Sequence, residues 1–73
     1  MDDIKKIISE TFNYDVDKID NDTGPDSINE WDSLGHFRLI NEIETKYNIM
    51  LNPNDIFQIT NVGDIINILK KYF

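Results

Sequence analysis

The chain has 73 residues, no cysteine and a formal net charge of −7. Its length lies near the lower limit for one unstapled apolar core, which predicts a single domain over residues 1–73. The missing cysteines exclude disulfides and thiolate metal sites. Hydrophobic residues at 40% and charged residues at 29% are the proportions of a soluble globular protein rather than a disordered tail. No apolar run approaches the length of a membrane span. Met1 to Lys6 begins acidic and lacks the apolar stretch of a signal peptide, so the expected location is the cytoplasm. The acidic balance repels nucleic acid and anionic lipid and attracts basic protein surfaces. Aromatic residues occur without a Lys/Arg patch beside them, so the basic footprint of a nucleic-acid binder is missing.

Ile4, Ile7, Ile8 and Phe12 recur at helical spacing and predict a first helix from about Asp3 to Asn13. From Tyr14 to Asp32 the chain is rich in Asp and Asn, contains Gly24-Pro25 and keeps no period, which reads as loop. A loop of that length inside a compact domain is uncommon and marks either function or a mistaken assignment. Val16, Ile19 and Ile28 are expected to pin it to the core, with room for one helical turn. The second helix is predicted from Ser33 to Tyr47, with Leu34, Phe37, Ile40, Ile43 and Tyr47 on one face and Leu39 flanking it.

Asp32 or Ser33 is expected to cap that helix, since a short oxygen-bearing side chain accepts a hydrogen bond from an unpaired first-turn N–H. Asn48-Ile49-Met50-Leu51 follows as an extended connector whose apolar residues dip inward. Asn52-Pro53 starts a short helix, about Asn54 to Gln58, because proline at the first helical position loses no needed donor. Thr60 or Asn61 caps a last helix, whose buried stripe is read as Val62, Ile65, Ile66, Leu69 and Phe73. Lys70 and Lys71 sit in its last turn, against the negative end of the dipole. With no repeat and no heptad run, the expected fold is all-α, a small four-helix bundle of three main helices and a short third one.

Chemistry concentrates at Trp31-Asp32-Ser33-Leu34-Gly35-His36-Phe37, where the long loop meets the second helix. At a first turn a serine Oγ points outward, and the free N–H groups with the positive dipole end favour a phosphodiester beside it. Trp31 reads as a hydrophobic anchor across that turn. His36, three residues after Ser33, invites a nucleophile-and-base pairing, but no orienting third group, oxyanion donors or water-excluding pocket accompany it. His36 is instead read as a surface residue. The acids Asp15, Asp17, Asp20, Asp22 and Asp26 fit no register of a calcium-binding loop, which needs glycine at the sixth place and a bidentate acid at the twelfth.

The Asp32-Ser33-Leu34 triplet resembles the attachment site of the acyl carrier protein family, and length, acidity and helix order match along essentially the whole chain. The resemblance implies a stand-alone, monomeric carrier rather than an enzyme. Its Ser33 would take a phosphopantetheine arm from coenzyme A through a phosphopantetheinyl transferase, with Asp32 contacting the modifying enzyme. The arm's terminal thiol would hold an acyl group as a thioester, supplied by a loading ligase and passed to an acyltransferase or synthase.

The expected docking surface is the second helix, with Leu34, His36, Arg38, Glu42 and Glu44 beside Asp32 and the preceding loop. Fatty-acid carriers place acids two and five residues after the serine, where this chain has Gly35 and Arg38, and a methionine where it has Asn41. The departures imply a dedicated pathway rather than general fatty-acid synthesis. A stripe heavy in Ile and Phe packs densely, which implies a short or polar acyl group. The rival reading is an acidic helical adaptor in which Ser33 only caps a helix.

Overall fold

The computed structural model describes residues 2–73, with Asp2 as backbone only. Four helices follow in chain order: α1 (Asp2–Phe12), α2 (Ser33–Tyr47), α3 (Pro53–Gln58) and α4 (Val62–Leu69), with a single 3-10 turn at Val16–Lys18 between the first two. No strand occurs among the described residues. Ile4, Ile8 and Phe12 of α1, Leu39, Ile40 and Ile43 of α2, and Val62, Ile65, Ile68 and Leu69 of α4 bury against one another. Periodic apolar stripes thus meet in one core, and burial of each large side chain contributes about 1.5–3 kcal/mol. Asn13 and Asn48 close α1 and α2 in the left-handed region, at φ 52° and 54°, a conformation asparagine tolerates better than most side chains.

The long loop is fastened at both ends of its course. Ile19, Ile28 and Trp31 enter the core. Between them the carbonyls of Thr23 and Asn21 accept the N–H groups of Val62 and Gly63, each at 2.9 Å. A helix start leaves its first N–H groups without intrahelical partners, and here the loop supplies two of them. Asn61 makes the cap itself, its side chain accepting from the Asp64 N–H at 2.8 Å. A β-carbon at Gly24 would lie 2.3 Å from the Thr60 carbonyl oxygen, so this close approach of loop to helix requires glycine.

Several sequence expectations are corrected. The buried face of α2 is Gly35, Leu39, Ile40 and Ile43, while Leu34 and Phe37 are 78% and 55% exposed. The first turn of α2 packs against the loop's backbone, so its inward position is the one without a side chain. Phe73 leaves the stripe and is exposed, because α4 ends at Leu69 and the chain tightens into turns in which the Lys71 and Tyr72 N–H groups bond the Ile68 and Leu69 carbonyls. Lys71 is consequently no dipole partner but pairs with Asp55 of α3 at 3.0 Å. Met50 and Val16 point to solvent, whereas Leu51 and Ile19 are buried as expected.

Candidate functional site

Asp32 has extended backbone, φ −96° and ψ −165°, and its carboxylate accepts the Gly35 N–H at 2.9 Å. Its carbonyl takes the His36 N–H at 2.7 Å. Asp32 is therefore the cap, and the choice the sequence left open is settled. Ser33 becomes the first helical residue, exposed and not needed for capping. It stands at the positive end of a 15-residue helix, where unpaired first-turn N–H groups and the dipole favour an anion. The neighbourhood fits a phosphodiester-linked group: a reachable hydroxyl, an adjoining acid, Asp32, that is engaged as the cap, and an open groove of about 400 Å³ beside it.

That groove is lined by Pro25, Trp31, Asp32, Ser33, His36, Phe37, Phe57 and Ile59. Trp31 is the anchor expected, 1% exposed and stacked on Phe12 with ring centroids 5.6 Å apart. The reading of His36 as a surface residue is corrected. It is half-buried, its Nδ1 lies 2.9 Å from the Trp31 indole Nε1, and its Nε2 lies 2.9 Å from the Ile56 carbonyl oxygen. An indole N–H only donates and a carbonyl only accepts. The neutral ring thus carries its proton on Nε2 and accepts at Nδ1. Neither nitrogen is left for the Ser33 hydroxyl, which removes the nucleophile-and-base pairing.

The remaining docking residues divide. Leu34 projects next to Ser33. Arg38 and Glu42 are exposed but line a separate groove of about 440 Å³ against Glu10 and Thr11 of α1. Glu44 is half-buried, and its Oε2 accepts the Leu51 N–H at 2.8 Å. It holds the connector in place within the fold. Phe57, 76% exposed, and Pro25 belong to the serine's groove and went unnoticed in the sequence. A six-residue helix is too short to show which face it presents.

On the far side of α3 the Asp55 carboxylate accepts from Lys71 Nζ and Tyr72 Oη, each at 3.0 Å. Tyr72 Oη accepts the Asn52 N–H at 2.9 Å. The Lys71 and Tyr72 hydrogen bonds hold the Asp55 carboxyl below its ordinary value of 3.8. No cluster of metal-ligating side chains occurs among the described residues, and no helix is long and apolar enough to cross a membrane.

A small all-helical body that displays a serine at a helix start, beside an open apolar groove, has the form of a carrier for a covalently tethered group. Residues 2–69 match the family model described as "Phosphopantetheine attachment site". The acyl carrier protein of Chlamydia caviae is 34% identical over 70 residues, covering 94% of this chain and 90% of that one. The solution structure of a holo acyl carrier protein from Geobacter metallireducens superposes with a TM-score of 0.85 at 30% identity, over 96% of this chain and 80% of that one. A Mycobacterium tuberculosis chain superposes with the same TM-score at 27% identity, over 97% and 95% of the two chains. The chain belongs to the acyl carrier protein family. Its prosthetic group is covalent phosphopantetheine, and its partners are a phosphopantetheinyl transferase and acyl-handling enzymes.

Proposed function

We propose that this chain acts as a single, monomeric carrier unit whose phosphopantetheine is attached to Ser33, with an acyl group held as a thioester on the arm's terminal thiol. The observation that carries the reading is the division of labour at the start of α2. Asp32 makes the cap and Ser33 Oγ stays exposed. In the loading step the Ser33 oxygen bonds to the phosphorus that bears the pantetheine in coenzyme A, the pyrophosphate link breaks, and adenosine bisphosphate leaves with the bonding electron pair. The serine proton passes to a base of the transferase. The body then tethers its cargo, which raises the effective concentration at each partner.

The partners favoured are a dedicated loading ligase and a transferase or synthase in the cytoplasm. Gly35 and Arg38 stand where general fatty-acid partners meet acids, and the exposed Leu34 and Phe37 flank the serine instead. Asp32, Arg38 and Glu42 add a weak electrostatic component, which loosens with salt. Intact mass after incubation with coenzyme A and a broad-range transferase tests the attachment. Wild type is expected to gain one arm and Ser33→Ala none. An unmodified wild type beside a fully converted control carrier overturns the reading.

A further inference from the structure

The groove beside Ser33 has a floor, and His36 makes it. Phe37 of α2 lines the groove together with Phe57 of α3 and Ile59 just beyond α3. The half-buried His36 ring lines it too, stacked against Trp31 with centroids 6.3 Å apart. It is bonded on one side to the Trp31 indole and on the other to the Ile56 carbonyl of α3. Each bond fixes the polarity of the other, because the indole can only donate and the carbonyl only accept.

Through Phe12 the same stack reaches α1, so a continuous bridge runs from α1 across the loop and α2 to α3. The third helix contributes no fully buried side chain of its own. The Asp55 clasp with Lys71 and Tyr72 holds its far side, and the His36 bridge holds the side next to Ser33. Leu39, Ile40 and Ile43 of α2 are buried, in a core packed too densely to admit added methylenes without displacing side chains.

We propose that His36 is a specificity-determining residue that limits this carrier to short acyl groups, by fastening α3 to Trp31 and so closing the seam between α2 and α3 to the cargo. The proposal rests on attachment at Ser33. A cargo folding back toward the protein meets a groove that is open to solvent rather than enclosed. Its aromatic lining suits the first few carbons of an acyl group or a planar face, and leaves the rest of a longer chain in water. A long alkyl chain has to break the His36 bond to Ile56 before it finds cover.

The test loads acetyl, butanoyl and dodecanoyl arms onto the protein from the corresponding coenzyme A thioesters, in wild type, His36→Ala and His36→Gln. Intact mass is read first. A chain that takes no arm refutes attachment at Ser33, a failure distinct from that of the cargo limit. On loaded protein, neutral hydroxylamine then reports thioester exposure, and methyl spectra of Leu39, Ile40 and Ile43, which are buried and do not line the groove, report entry into the core.

In wild type all three thioesters are expected to react at similar rates, with the core methyls unmoved. In His36→Ala the dodecanoyl thioester is expected to be protected several-fold and the core methyls to shift, while His36→Gln, which can still accept and donate, stays closer to wild type. Should His36→Ala fail to fold, Trp31→Phe cuts the bridge from its other end while keeping an aromatic filler, and the same long-chain protection is expected. Protection of the dodecanoyl arm in wild type overturns the proposal. So does bridge cutting that lowers the melting temperature equally for every cargo without chain-length dependence.

Discussion

A β-carbon at position 35 would lie 1.9 Å from the Glu30 carbonyl oxygen and 3.0 Å from the Phe12 ring. The departure of Gly35 from the acid found there in fatty-acid carriers therefore has a steric cause, since the loop's backbone occupies the space. Gly35→Asp or Gly35→Ala is expected to destabilise by about 1–3 kcal/mol, the range for overpacking a filled site. A shift of the urea midpoint at unchanged slope would show it. An unaltered midpoint would mean that the loop yields freely.

Asp32→Ala removes the cap and is expected to cost about 1 kcal/mol, or ~4–8 °C in melting temperature for a domain of this size. Asp32→Ser should restore most of it. A melt in which alanine and serine behave alike would contradict the assignment of the cap. Trp31 as anchor was readable from its place one residue before a cap. The partner of His36 was not, because Ile56 lies 20 residues further along the chain and a main-chain carbonyl leaves no trace in composition.

The helices were legible as elements, the short third one included through Asn52-Pro53, whereas the faces of irregular turns were not. Stripes in α1 and α4 announced themselves through apolar residues at three and four places apart. In α2 the same rule gave Leu34 and Phe37 to the core, although the first turn faces loop backbone and Gly35 fills the inward position. The C-terminal turn after α4 was read as more helix, which hid the clasp it makes on α3.

That clasp carries a pH dependence. A carboxyl held below its ordinary value of 3.8 contributes stability that is present above that value and lost as pH falls through the lower folded one. Asp55→Asn is accordingly expected to melt below wild type at neutral pH, with the gap narrowing as pH drops beneath 3.8. Thermal melts across that window decide it. A gap of constant size would show that the charge of Asp55 is immaterial.

At the scale of the molecule, acids outnumber bases 14 to 7, and Lys71 with Asp55 is the single ion pair among the described residues. Unpaired like charge on a body of 27 × 23 × 20 Å opposes compactness and is screened by salt. Raising sodium chloride from low to physiological strength should raise the melting temperature by a few degrees, the reverse of a fold held by surface ion pairs. A flat or falling trend would place the repulsion elsewhere than in the folded state.

Fold class followed from helix order and length, because three apolar stripes have few ways to close on one another. The route of the loop did not follow, since Asn21 and Thr23 act through carbonyl oxygens that every residue owns. The chain also has one tryptophan, and the fold spends it beside the serine's groove, stacked against the His36 ring. Its ultraviolet emission is consequently a native optical reporter: arrival of an arm, exchange of its load and seating against an enzyme can each be followed in real time on unlabelled protein.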